Sequence, residues 1–257
     1  MKKIEIKKCV IGEGLPKICV PLVGKTEEDI AGQAQKICDC KSRIDIVEFR
    51  ADYYEGLQDI PRLLAFLEKL YAMLGDKVLL FTIRSESEGG EKLKLKTPDV
   101  YDINRAVIES AIPDMVDVEL YSGDEDVDKL VKLAHEKGIY IVMSNHDFNK
   151  TPEVQDMVSR MCRMQDMGAD IAKIAVMPQN NEQLINLFTA TSIMNTKYAR
   201  VPIITISMGK LGALSRIAGQ VFGSSVTFAA LEQSSAPGQI PVAELDEMMT
   251  KIDKYCN

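Results

Sequence analysis

The chain has 257 residues, 46% of them hydrophobic and 27% charged, with a net charge of −7. That balance belongs to ordinary folded proteins and excludes disordered, fibrous and collagen-like classes. The acidic total argues against a general nucleic-acid or membrane role, and no apolar run approaches the ~18 residues that a membrane helix needs.

In chain order, the first sixteen residues set Ile4, Ile6, Val10 and Ile11 around Gly12 and Gly14, a β-hairpin pattern. The opening MKKIEIKK alternates charged and apolar residues and lacks the apolar core of a secretory signal, so a cytoplasmic location is expected. Cys9, Cys19, Cys38, Cys40, Cys162 and Cys256 form no C-x-x-C pair and read as reduced thiols. Eight short, apolar, β-prone runs follow, at residues 18–23, 44–49, 78–83, 115–120, 140–143, 171–176, 201–206 and 226–231. Most are apolar on both faces, as strands between a filled interior and an outer layer of helices should be.

Helix signals lie between the runs. Thr26 caps one whose first turn is Glu27, Glu28 and Asp29 and whose apolar positions are Ile30, Ala34 and Ile37. Pro61 opens the next; Leu63, Leu64, Leu67, Leu70 and Leu74 line it and Gly75 stops it. Thr97-Pro98 and Thr151-Pro152 each read as an N-cap followed by proline at the first helical position, and Gly138 and Gly168 end helices. The βα unit recurs every ~25–35 residues, and right-handed crossovers close such units into a barrel. No Pro- or Ser-rich linker interrupts them. The expected fold is α/β: a single-domain (β/α)8 TIM barrel over residues 1–257, with the N-terminal β-hairpin closing its bottom.

Chemistry in such a barrel gathers at the C-terminal ends of the strands. The residues collected there are Glu48, Arg50 and Asp52 from strand two, then Arg84, Ser85, Glu88, Gly89 and Gly90 after strand three. Strand four carries Asp117 and Glu119, strand five ends at Asn145, His146 and Asp147, and strand six carries Lys173. Ser207, Met208, Gly209, Ser215 and Arg216 follow strand seven; Ser234, Ser235, Pro237, Gly238 and Gln239 follow strand eight.

Lys173 lies inside an apolar strand, where burial disfavours the ammonium and favours the neutral amine that attacks a carbonyl. The bland alternative is a structural lysine paired with a barrel carboxylate such as Glu119. His146, one of two histidines, ends the neighbouring strand and suits a general acid–base facing the same cavity, the alternative being a hydrogen-bonded core histidine. His135 lies among charged residues on a helix over 127–137 and reads as solvated. Arg50, Arg84 and Arg216 suggest an anionic substrate held by guanidinium forks, unless each pairs with a local acid such as Glu48, Asp52, Glu86 or Glu88. H-x-H, H-E-x-x-H and Walker spacings are absent; Glu48, Asp52, Asp117 and Glu119 could hold magnesium, but arginines and a lysine crowd the same cavity with positive charge, so no metal is expected.

These motifs resemble one family. Asp117-Val118-Glu119-Leu120 is followed, twenty residues on, by Ile141-Val142-Met143-Ser144-Asn145-His146-Asp147. Val47-Glu48-Phe49-Arg50-Ala51-Asp52, Arg84-Ser85 with Glu88-Gly89-Gly90, and Lys173-Ile174-Ala175-Val176-Met177-Pro178 stand in the same order. So do Ser207-Met208-Gly209 with Ser215-Arg216, and Ser234-Ser235-Ala236-Pro237-Gly238-Gln239. Together they are similar to the type I 3-dehydroquinate dehydratases, Schiff-base lyases of the shikimate pathway of aromatic amino-acid biosynthesis.

The resemblance implies dehydration of 3-dehydroquinate to 3-dehydroshikimate by syn elimination of water, without metal or organic cofactor. It implies Lys173 as the imine-forming nucleophile, His146 as the general acid–base and Glu88 as its orienting partner. It further implies Arg216 as the carboxylate clamp, with Glu48, Arg50 and Arg84 at the hydroxyl and ketone side. Met208 would pack on the ring, and Ser235 and Gln239 would lie on a closing lid. The partner expected is this small molecule, not nucleic acid or membrane, and the expected assembly is a homodimer. Two rival readings are a class I aldolase on the same barrel and a non-catalytic barrel that binds a small organic anion.

Overall fold

The computed structural model describes residues 3–92, 97–232 and 235–256, with backbone alone at 97–99. An antiparallel pair, β1 (Ile4–Ile6) and β2 (Cys9–Ile11), comes first. Eight parallel strands follow: β3 (Lys17–Leu22), β4 (Ile46–Arg50), β5 (Val78–Thr82), β6 (Met115–Glu119), β7 (Tyr140–Asp147), β8 (Ile171–Val176), β9 (Ile203–Ser207) and β10 (Val226–Ala230). From β3 to β9 each pairs with its successor, and β10 returns to β3 through Val226–Lys17 and Phe228–Cys19. The ring closes where Ile203 bridges Ser224 and its carbonyl accepts the Ser225 N–H at 2.8 Å. A two-residue strand, β11 (Ile240–Pro241), lies beside β10.

The helices are α1 (Glu27–Asp39), α2 (Ile60–Leu74), α3 (Thr97–Ser110), α4 (Asp124–Lys137), α5 (Val154–Asp166), α6 (Asn181–Ile193), α7 (Ala213–Ile217), α8 (Gly219–Phe222) and α9 (Val242–Cys256). This is the expected (β/α)8 barrel. Among the described residues no helix is long and apolar enough to cross a membrane.

Strand alternation sorts the core into two layers. In β8, Ala172, Ile174 and Val176 join the apolar layer beneath the helices, while Ile171 and Ala175 join the barrel interior. Lys173 shares the interior parity. The hairpin buries Ile4, Ile6, Cys9 and Ile11 against Ile46, Val78, Met115 and Ile171, all at the N-terminal ends of barrel strands. Each such side chain contributes ~1.5–3 kcal/mol of burial free energy, so the hairpin is a firm floor.

Local signals explain most helix ends. Thr26 and Asp29 form a reciprocal capping box, each side chain accepting the other's N–H. Asp59 caps α2 ahead of Pro61, and Gly75 ends it at φ 57°. Thr151-Pro152 does not cap α5, which begins two residues later at Val154 after Glu153. The Thr151 N–H is instead engaged by Gln183 Oε1 at 3.3 Å, tying the loop to α6. Helix α3 begins at Thr97, while the cap side chains of Thr97 and Pro98 lie outside the described residues.

Two strand boundaries bear on the site. Strand two starts at Ile46 rather than residue 44, and strand five runs on to Asp147 rather than stopping at 143. The extension pairs Asn145, His146 and Asp147 with Ile174, Ala175 and Val176, so the histidine backbone is fixed by the sheet.

Candidate active site

Interior parity brings Glu48 and Arg50, Asp117 and Glu119, Ser144 and His146, and Lys173 to one end of the barrel. The space at that end, open to solvent, is about 450 Å³. Glu48, Arg50, Arg84, Glu88, His146, Lys173, Met208, Arg216, Ser235 and Gln239 all line it, so every site residue expected from sequence meets there. Phe148, Ala175, Ile206, Phe228 and Ala236 supply apolar walls.

Lys173 is buried with its Nζ 3.3 Å from Asp117 Oδ2, 3.7 Å from Glu48 Oε1 and 4.6 Å above the Phe228 ring. Glu119, the partner expected for it, lies elsewhere: its Oε1 accepts from Arg84 Nη1 and from the Ser85 N–H, both at 2.9 Å. Asp117 is the shared anion. It accepts from Ser144 Oγ at 2.6 Å and pairs with Arg84 Nη2 at 2.8 Å. Burial alone would raise the Asp117 carboxyl, but Arg84 and then Lys173 hold it below the usual carboxylate range. Thr82 Oγ1 donates to Glu48 Oε1 at 3.1 Å, orienting the second carboxylate.

The three arginines differ. Arg50 forks onto Asp52, with Nε–Oδ1 at 2.8 Å and Nη2–Oδ2 at 2.7 Å. Arg84 meets Asp117, Glu119 and, at 3.7 Å, Glu88; burial lowers its proton affinity, but these carboxylates lift it above the ordinary value. The local-acid alternative therefore describes both.

It fails for Arg216. That side chain is 1% exposed and, among the described residues, has no carboxylate within ion-pair distance. Among the described residues it donates only to the carbonyls of Phe228 (3.2 Å) and Pro237 (3.1 Å), and its buried Nε finds no acceptor there. Burial brings its pKa down to about 10. A buried guanidinium with spare donors is a ready anion receptor.

Glu88 comes from the short 3-10 turn Glu86–Glu88 after β5. Its Oε2 accepts the His146 backbone N–H at 2.9 Å and lies 2.9 Å from the ring Nδ1. Burial, then the nearby Glu119 carboxylate, pushes Glu88 up to about 7, against the pull of Arg84 and Asn145. Burial, then the charges of Arg84, Lys173 and Arg50, drives His146 well below 6.5, so its imidazole is neutral at pH 7. Gly89, at φ +85°, gives Phe148 room: a Cβ there would lie 2.2 Å from the ring.

Ser235, Ala236 and Gln239 of the loop after β10 line the cavity. Pro237 O accepts from both Arg216 Nη2 and the Gly209 N–H (3.0 Å). Gln239 Oε1 accepts the Ser235 N–H, and its Nε2 donates to Ser235 Oγ, both at 3.1 Å. Ser234, part of the same sequence motif, lies outside the described residues.

Sequence reasoning weighed Asp117 only as a possible magnesium ligand and assigned no role to Ser144, Phe148 or Phe228. Strand parity held the signal for two of them, since Ser144 stands two residues before His146 and Phe228 faces inward from β10. His135 lies on the outside of α4, half-exposed and bonded to Asp170.

Comparison with known proteins agrees with this architecture. The type I 3-dehydroquinase family profile matches residues 18–255. A 3-dehydroquinate dehydratase of Clostridioides difficile (strain 630) is 45% identical over 257 residues, spanning 100% of this chain and 99% of that one. A type I 3-dehydroquinate dehydratase from Clostridium difficile, solved with covalently modified comenic acid, superposes with a TM-score of 0.95 at 44% identity, covering 99% of both chains. The 3-dehydroquinate dehydratase of Geobacillus kaustophilus gives 0.96 at 37% identity, covering 100% of this chain and 98% of that one. With the fold, the inward-facing lysine and the profile in agreement, the chain belongs to the type I 3-dehydroquinase family.

Proposed function

We propose that this chain dehydrates 3-dehydroquinate to 3-dehydroshikimate through an imine on Lys173. The observation that carries the proposal is the division of cations in the cavity. Lys173 is flanked by two carboxylates, whereas Arg216 is left free to receive an anion. A ligand with a ketone at one end and a carboxylate at the other satisfies both.

Lys173 Nζ adds to the C3 ketone, and the carbonyl oxygen leaves as water. The iminium places a positive charge beside Asp117 and Glu48, which are already oriented by Ser144, Arg84 and Thr82 and so need no rearrangement. His146 Nε2 then takes the C2 proton while the electron pair moves into the iminium, giving an enamine. The enamine electrons return to form the C1–C2 double bond as the C1–O bond breaks, and the proton on His146 passes to the departing hydroxyl in a syn elimination. Water hydrolyses the imine and frees Lys173.

Glu88 holds the imidazole through Nδ1, Arg216 clamps the carboxylate, and Glu48, Arg50 and Arg84 meet the hydroxyl and ketone side. Met208 packs on the ring, and Ser235 and Gln239 close the lid. The covalently modified ligand of the Clostridium difficile relative supports a covalent route. The family further implies a cytoplasmic homodimer, which sedimentation at micromolar concentration tests.

The decisive experiment is borohydride reduction with 3-dehydroquinate present, followed by peptide mapping. A reduced adduct on Lys173 is expected. No adduct, with no product absorbance from folded protein, would discard the reaction and leave aldolase substrates to be screened.

A further inference from the structure

We propose that Asn145 and Arg160, which line no part of the cavity, are positioning residues that decide which nitrogen of His146 faces it without a proton. The inference rests on the reading above, in which Nε2 is the base, and extends it to a helix outside the barrel wall.

The geometry is a chain of hydrogen bonds with one direction. Arg160, on α5, forks onto Asp156 through Nε (3.0 Å) and Nη2 (2.7 Å), and its remaining Nη1 donates to Asn145 Oδ1 at 2.8 Å. A guanidinium cannot accept, so the oxygen of the amide must face Arg160 and the nitrogen must face the other way. Asn145 Nδ2 accordingly donates to Glu88 Oε1 at 2.8 Å. The other carboxylate oxygen accepts the His146 backbone N–H and lies 2.9 Å from Nδ1. With N–H donors on both oxygens, Glu88 is held as the acceptor of Nδ1–H. Nε2 is then left bare, with no hydrogen-bond partner among the described residues.

Glu88 needs that help. Facing it are Glu119 and Asp117 from β6, which favour its protonated form, and Arg84 from beyond β5, which favours the carboxylate. His146 adjoins it from β7. A protonated Glu88 would donate its O–H to Nδ1, move the imidazole proton to Nε2 and remove the base. The Asn145 N–H opposes that switch, and Arg160 keeps the amide from turning over.

Two substitutions separate this role from a structural one. Asn145→Asp keeps the shape and strengthens the contact to Arg160, yet takes the N–H donor from Glu88. Arg160→Met frees the amide to rotate, whereas Arg160→Lys keeps a donor. The chain has two histidines, so 15N-histidine labelling with His135→Asn as the assignment control reads the His146 tautomer directly, without substrate.

In the unsubstituted protein the proton is expected on Nδ1. Asn145→Asp and Arg160→Met are expected to move it to Nε2 and to lower kcat by about tenfold or more, with KM within about threefold. The Lys173 adduct should still form, and Arg160→Lys should restore both readouts. An unchanged tautomer in both variants would overturn the inference, even if kcat fell. Failure of the unsubstituted protein to turn over 3-dehydroquinate would instead count against the proposed reaction, because the tautomer is measured independently.

Discussion

Arg216→Met should stabilise the empty protein while disabling it. Burial depresses the Arg216 pKa by more than two units from its ordinary value, to about 10. At 1.36 kcal/mol per unit, that shift withholds about 3 kcal/mol of folding free energy. The sign follows from linkage: a cation whose folded value is depressed costs nothing above its unfolded value, and the cost is complete once pH falls below the folded value. At pH 7 the whole penalty is therefore in force.

Opposing it are the hydrogen bonds to the Phe228 and Pro237 carbonyls, about 1 kcal/mol each. Pro237 keeps its bond from Gly209 when the guanidinium is gone. The balance leaves Arg216→Met about 1 kcal/mol more stable, a rise in Tm of about 2–4 °C. The same change deletes a charge-assisted pair worth ~1.5–3 kcal/mol, which raises KM by about 10- to 150-fold. Thermal unfolding without substrate and steady-state turnover with it supply both numbers. A fall of several degrees with an unchanged KM would make Arg216 a structural tie and refute the clamp.

Lys173→Ala should abolish both turnover and the borohydride-trapped adduct; appreciable residual activity would end the covalent mechanism. His146→Ala should still accumulate adduct slowly but stop elimination and release, so a protein that loses the adduct alone would contradict the assigned role. The acid limb of kcat/KM should report a proton entering the His146–Glu88 pair, with an apparent value near the Glu88 value of about 7. In Glu88→Gln the amide no longer titrates and His146 is held well below 6.5, so that limb should move to lower pH as the maximal rate falls. A limb that stays in place would assign it to another group.

Much of this was legible in the sequence because barrel strands impose a strict parity. Once residues 171–176 are read as a strand, Lys173 has only two faces to choose from, and its isolation among apolar neighbours marks it. The arginines were legible as cations, and Asp52 and Glu88 among the local acids named for them, but the cross-barrel partners of Arg84 were not. Whether Arg84 or Lys173 would take Glu119 depends on side-chain reach across the barrel, which no linear spacing contains. Thr151-Pro152 matched a cap in type but not in place: α5 starts two residues later, and Gln183, distant in sequence, ties the Thr151 backbone to α6. Arg160 carried no signal, since its position on α5 matches that of any surface arginine, and only the fold brings it to Asn145.

The hairpin floor has a consequence for traffic. Among the described residues, Ile4, Ile6, Cys9 and Ile11 close the lower end, so the chamber opens at the opposite end, on the side of the Ser235–Gln239 loop. Substrate, product and the eliminated water must pass the same doorway, so one occupant has to leave before the next is admitted.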